Sequence, residues 1–265
     1  MQDKSALGRA VAMVRDLRRR CPWDRIQTRE TIRPYLIEEV FELDHAIAEG
    51  NAAEIREEVA DLMLHLAWQL VLGEERGEFD PEQVAGDLEA KMRRRHPHLF
   101  DLGPAERWSK LKRKEKGQGV LDGLPPALPS LIMAYRLQER AATVGFDWPD
   151  TAGPAAKVRE ELAEVETAII TEPMHGATAE LSGEPVDPHP ADELVDEIGD
   201  LLFAVVNLAR KARVQPATAL DRANRKFQRR FREVERMAES RGIEMATAGL
   251  EVLDGLWSEV KVSEG

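Results

Sequence analysis

One ordered set of landmarks occurs twice along this chain. In the first half Glu38, Glu39 and Glu42 precede Glu58 and Asp61, followed by Lys91 and Arg95 and then Trp108 and Lys112. In the second half Glu160, Glu161 and Glu164 precede Glu197 and Asp200, followed by Lys226 and Arg230 and then Trp257 and Lys261. A duplicated helical unit explains this recurrence more economically than a string of separate accidents.

The periodicity of the apolar positions says what kind of unit is duplicated. Helical spacing dominates, and sustained strand-like alternation between turn signals is lacking. The pattern predicts an all-α fold with helices over 3–20, 31–49, 51–72, 81–94 and 104–116 in the first half. In the second half it predicts helices over 129–143, 155–171, 191–211, 216–240 and 249–261. Pro22, Pro81, Pro104, Pro154 and Pro216 lie near the predicted starts, where a missing amide hydrogen costs least. The Gly- and Pro-rich segment from Lys116 to Ser130 separates the halves, giving domains over 1–118 and 119–265. The stretch from Thr171 to Pro190 reads as a surface loop inside the second domain.

Composition narrows the partners. With 265 residues, 32% of them charged and 43% hydrophobic, the chain is expected to pack into soluble domains. A net charge of -12 argues against stable binding of DNA or RNA, although an anionic nucleotide bridged by metal ions is compatible with it. The single cysteine, Cys21, excludes an intrachain disulfide framework, and its neighbours Pro22 and Trp23 suggest a packed turn. No apolar run suits a membrane helix or a leader, so a cytoplasmic location is the expectation.

The carboxylates carry the chemistry. Residues three or four apart share a helix face, so Glu160 and Glu164 stand together with Glu161 at their edge, and Glu197 pairs with Asp200. The Glu197 helix is apolar over most of its circumference, from Leu194 to Leu208, and is expected to be enclosed by neighbours. Crowded carboxylates repel one another unless a cation is present, and hard divalent ions, magnesium above all, take oxygen ligands beside phosphate. Glu161, Glu164, Glu197 and Asp200 are therefore the metal-ligand candidates, with a possible second site at Glu39, Glu42, Glu58 and Asp61. Lys157, Lys226 and Arg230 could hold phosphate oxygens, with surface ion pairing as the alternative. Asn207 lies seven positions after Asp200 on nearly the same face, as a nucleotide contact or a structural amide. Asn224 is a weaker candidate of the same kind, and Trp257 could pack against a base or belong to the core. His65 reads as a packing residue, His96 and His98 as turn or capping contacts, and the Arg18–Arg20 and Arg93–Arg95 triplets as solvated faces, with partner recognition as the alternative.

Several longer stretches, "CPWD", "YLIEEVFELDHAI", "KMRRRHPHLF", "VGFDW", "EIGDLLFAVVNLAR" and "ANRKFQRRFREVE", make the chain closely similar to the two-domain MazG nucleoside triphosphate pyrophosphohydrolases. The resemblance covers almost the whole chain. It implies tandem helical bundles that associate as a homodimer. It also implies Mg2+ as cofactor, with Mn2+ as a substitute, and hydrolysis of ribo- and deoxyribonucleoside triphosphates to a monophosphate and pyrophosphate. It carries the metal role onto Glu161, Glu164, Glu197 and Asp200, with Glu160 completing the acidic motif. The basic and aromatic nucleotide contacts fall on Lys157, Lys226, Arg230 and Trp257, with Lys261 beside them. Glu160, Glu161, Glu164, Lys226 and Arg230 are then the catalytic candidates, Glu161 and Glu164 being placed to orient a water.

The resemblance also implies that the second domain holds the main activity, and the residues agree. Alignment of the carboxylates puts Tyr35 where the second copy has Lys157, Trp68 where it has Asn207, and Glu89 where it has Asn224. The first copy keeps its acids but loses a positive charge and two amides, which suits a structural or weakly active role. Metal-assisted hydrolysis is the expected mechanism, with α- against β-attack left open. A duplicated scaffold that binds nucleotide or protein without turnover is the alternative from another class, and selective clearance of non-canonical nucleotides is the narrower enzymatic one.

Overall fold

A computed structural model describes residues 5–105, 119–171 and 192–264. The chain divides into two compact units, Met1–Trp108 and Ser109–Gly265. Among the described residues the fold is helical throughout, with no strand.

The first unit contains α1 (Ala6–Arg20), α2 (Pro22–Ile26), α3 (Arg29–Glu49), α4 (Ala52–Glu75) and α5 (Pro81–Arg95), then a 3-10 turn over Pro97–Leu99. Side-chain caps set several starts. Ser5 accepts from the Gly8 amide, Thr28 and Thr31 form a reciprocal capping box, and Asn51 accepts from the Ala53 amide. Gly50 ends α3 in the left-handed conformation at φ 73°, which a residue without Cβ adopts freely. The α3 and α1 helices both pack on α4, around Val11, Val14, Ile32, Trp68 and Val71. Trp68 is thus a core residue, and the Arg18 guanidinium lies 5.2 Å above its ring while pairing with Glu75. Arg18 therefore departs from the expected solvated face; its side chain is only 12% exposed because it also donates to the Asp24 and Gln27 carbonyls. The five-residue α2 was not anticipated, being too short to show a period; Cys21 is its N-cap.

The second unit contains α6 (Ser130–Ala142), α7 (Ala152–Thr171), α8 (Asp192–Lys211), α9 (Pro216–Ser240) and α10 (Gly249–Ser263). The α7–α8 pair forms the most extensive helix contact, α6 lies on α8, and α9 packs on α10 and α6. Val234, Ala238, Leu256 and Val260 make the α9–α10 core, with Phe227 stacked on Phe231 and 5.3 Å from Trp257. Helix α8 differs from expectation. Ala204 and Val206 are buried, but Val195, Ile198, Leu202, Phe203 and Val205 remain exposed. Its apolar circumference is wider than its described neighbours cover. The expected helix over 104–116, with Trp108 and Lys112, and the Thr171–Pro190 loop lie mostly outside the described residues.

Candidate metal and nucleotide site

Helices α7 and α8 bring their acids together. Glu161, Glu164 and Glu197 each offer a carboxylate oxygen within 4.8 Å of the others, a spacing that one hard cation could bridge. The three differ in setting: Glu161 is 5% exposed, Glu197 half-buried and Glu164 open. Asp200, one turn beyond Glu197, is exposed and stands outside this three-carboxylate group.

Lys157 compensates part of the charge before any cation arrives. Its Nζ lies 2.7 Å from Glu160 Oε1 and 2.6 Å from Glu161 Oε1, on the face predicted by helical spacing. That contact holds the Glu161 carboxyl below the usual range, against the opposing effect of burial. A hydrogen bond with Glu161 pushes Glu164 up instead, aided by burial and by the charge of Glu161. Of the two, Glu164 is therefore the carboxyl with the higher proton affinity.

The first copy has the same acids without the ammonium. Glu39, Glu58 and Asp61 lie within 4.8 Å of one another, while Glu42 is not part of the group. Burial and then the Asp61 and Glu42 charges push Glu39 up, and burial followed by Glu42 and Asp61 does the same to Glu58. Tyr35, at the position matching Lys157, lies edge-on to Trp23 with centroids 6.5 Å apart. His65 is buried, as its core-like helix suggested; its Nε2 faces Glu39 at 3.8 Å, and burial pushes its pKa down. His96 Nδ1 meets the Met92 carbonyl at 2.9 Å, a helix-end contact of the expected kind.

The basic and aromatic candidates of the second copy lie on other elements. Arg230 on α9 pairs with Glu264 at 2.7 Å, and Arg229 pairs with the same carboxylate. Lys226, Asn224 and Lys261 are exposed, and Trp257 packs in the α9–α10 cluster. Among the described residues no ion pair links Lys226 or Arg230 to the α7–α8 carboxylates.

A second feature adjoins that site and had no forewarning. A cavity of about 530 Å³ lies between α6, α8 and the Gly145–Trp148 turn. Gly145 holds φ 91° in that turn, and Gly153 lets the Trp148 ring lie flat on α7, since a Cβ there would be 2.3 Å from Trp148 Cε3. Asp147 is clamped by Arg210 and by Lys211, whose Nζ also donates to the Trp148 carbonyl. The "VGFDW" stretch counts only toward the family resemblance, and its partners on α8 are remote in sequence.

Residues 27–100 and 154–235 match the MazG nucleotide pyrophosphohydrolase domain, one match in each half. The chain is 40% identical over 263 residues to the nucleoside triphosphate pyrophosphohydrolase of Escherichia coli K12, covering 95% of this chain and 94% of that one. It is 39% identical over 247 residues to the nucleoside triphosphate pyrophosphohydrolase/pyrophosphatase MazG of Thermotoga maritima, covering 91% and 89%. With two domain matches, each spanning the paired acidic helices, and full-length relatives of this similarity, the chain belongs to the MazG family of nucleotide pyrophosphohydrolases.

Proposed function

We propose that the second domain hydrolyses ribo- and deoxyribonucleoside triphosphates to a nucleoside monophosphate and pyrophosphate, with Mg2+ as its cofactor and Mn2+ as a substitute. One observation carries the assignment to this half: Lys157 is in contact with the carboxylate group of the second copy, and Tyr35 takes its place in the first. Three oxygen donors this close, one of them buried, fit a hard divalent cation, which Glu161, Glu164 and Glu197 would hold with Asp200 one turn away. When bound, such an ion neutralises phosphate charge and makes a coordinated water more acidic.

The residues of the chain supply the rest. Lys157 keeps Glu161 ionised and offers its remaining donor capacity toward an anionic substrate. Glu164, with its higher proton affinity, is the better placed of the two to accept a proton from an attacking water. Lys226 and Arg230 would contact phosphate oxygens after Arg230 leaves Glu264, with Asn207 and Trp257 as nucleoside contacts and Asn224 and Lys261 flanking them. The first domain, 1–118, serves assembly, and its Glu39, Glu58 and Asp61 group with Glu42 nearby would hold a cation without efficient turnover. The apolar side chains left open on α3, α4 and α8, such as Phe41, Leu66 and Leu202, support association as a homodimer. No described helix is long and apolar enough to cross a membrane, a cytoplasmic location is part of this reading, and the net charge of -12 disfavours binding of DNA or RNA.

The test is product analysis. Full-length protein with Mg2+ and a panel of triphosphates should release monophosphate and pyrophosphate in equal amounts. Failure to release pyrophosphate from every triphosphate would sink the assignment. Glu161→Gln or Asp200→Asn should remove most turnover, and Asp61→Asn should remove much less.

A further inference from the structure

The cavity beside α8 contains a polar atom with an unmet need. Gln138 on α6 is 7% exposed, and its Nε2 donates to the Phe203 carbonyl at 2.8 Å. That bond fixes the amide orientation, because the flipped form would set oxygen against oxygen. Gln138 Oε1 then has no hydrogen-bond partner among the described residues, and Gln138 is one of the residues that line the cavity. Buried acceptors are rarely left unpaired, so a donor on a molecule that enters the cavity is a fitting partner for this one.

The other lining groups define what enters. Phe146, Trp148 and Phe203 give the cavity aromatic surfaces. Arg210 is held by Asp147 and donates to Asn207 Oδ1 at 2.8 Å, so its charge is already answered and the cavity is not an anion site. The same bond occupies the Asn207 oxygen and leaves its amide NH2 as the donor end. A flat ligand with apolar faces, one N–H donor and an adjacent acceptor fits this set. That is the hydrogen-bonding edge of a nucleobase.

Position agrees with chemistry. Glu197, Asp200, Phe203 and Asn207 advance along one face of α8 in steps of three or four residues. At a rise of about 1.5 Å per residue, Phe203 is ~4.5 Å and Asn207 ~10 Å beyond Asp200 along the axis, the interval a sugar would span. We propose that this cavity receives the base of the triphosphate, and that Gln138 Oε1 selects bases presenting an N–H donor: the amino group of adenine or cytosine, or the ring N–H of guanine or uracil. The proposal rests on the pyrophosphohydrolase reading and adds to it a base-reading residue and a place for the base apart from Trp257.

The experiment compares kcat/KM for ATP with that for purine riboside 5′-triphosphate, which lacks only the 6-amino group. Wild-type protein should favour ATP by about tenfold or more, the usual effect of leaving a buried acceptor unpaired. In Gln138→Leu the preference should fall to within about twofold. Equal kcat/KM in the wild type, or an unchanged preference in a folded Gln138→Leu, overturns the proposal while leaving the hydrolase intact. A parallel NMR titration of wild type, without metal, compares adenosine with purine riboside and does not depend on the variant folding. Tighter binding of adenosine supports the cavity even if no triphosphate is cleaved, in which case only the hydrolase reading falls. Equal or absent binding of the two nucleosides overturns the base assignment.

Discussion

Lys157 Nζ lies 2.6 Å from Glu161 Oε1, and this one contact distinguishes the two acidic clusters of the chain. It holds a buried carboxylate ionised among like charges, whereas in the first copy Tyr35 stands at the matching position and Glu39 is pushed up. Lys157→Met should therefore let the Glu161 carboxyl rise toward and above its ordinary value. The acidic limb of the kcat/KM–pH profile should move to higher pH, and activity at neutral pH should fall by about 10–100-fold, as for other groups that support a metal ligand. Rate measurements across pH at saturating Mg2+ check this; a uniform drop with no displacement of the limb would remove the role given to Lys157.

The first cluster makes the opposite prediction. Glu39 and Glu58 are pushed up by burial and by neighbouring carboxylates, so each binds its proton more tightly in the folded state than in the unfolded one. For such a group, stability is lost as pH rises through the unfolded and then the folded value, and the ionised cluster opposes folding at neutral pH. Glu39→Gln should raise Tm at neutral pH in chelator by a few degrees, on a scale where about 1 kcal/mol moves a chain of this size by ~2–4 °C. Added Mg2+ or Mn2+ should stabilise wild type and narrow or reverse that difference. Thermal melts of both proteins with and without the ion decide it.

These two clusters were readable before the fold because their information is local. Spacing by three or four places acids on one face, and the repeat multiplies a weak signal at Glu161, Glu164 and Glu197. Prolines and a 3.6-residue period likewise marked α5 and α9, whereas α2 is too short to display a period. The exposed apolar side of α8 differs from expectation because an all-round hydrophobic helix says that neighbours exist, not which residues supply them. The cavity was invisible for a different reason. Gln138 meets Phe203 across 65 positions and Arg210 meets Asp147 across 63, and a single sequence contains no trace of such pairings.

The Asp147–Arg210 pair should matter to the cavity through the turn it anchors. Hydrogen bonding and charge from Arg210, then from Lys211, hold the Asp147 carboxyl below the usual carboxylate range. A depressed folded pKa contributes stability above the unfolded value and loses it as pH falls through the folded one, so neutral conditions retain the whole contribution and only strong acid removes it. Asp147→Asn should be destabilising by about 1–3 kcal/mol, since Arg210 is only 11% exposed and would be left with a weaker partner. Its KM for triphosphate should rise more than its kcat falls, because the turn shapes the cavity and does not carry the carboxylates. Denaturant melts and steady-state rates test both halves of the statement; a selective loss of kcat would contradict it.

Gly153 offers the sharpest test of whether Trp148 belongs to the binding surface. A Cβ at 153 would lie 2.3 Å from Trp148 Cε3 and 2.6 Å from Cδ2, well inside contact distance of a rigid ring rather than a yielding chain end. Gly153 is helical, so alanine itself suits the backbone and would gain ~1 kcal/mol of helix propensity there. Overpacking against the indole costs about 1–3 kcal/mol, and the ring must leave its seat for the substitution to be accommodated. Gly153→Ala should thus leave overall stability within about 2 kcal/mol of wild type while altering tryptophan emission and raising KM for ATP. The KM for inorganic tripolyphosphate, which has no base to place, should change much less. An equal rise for both substrates would mean that the Gly153–Trp148 contact shapes the phosphate end, and that the cavity lined by Trp148 does not receive the base.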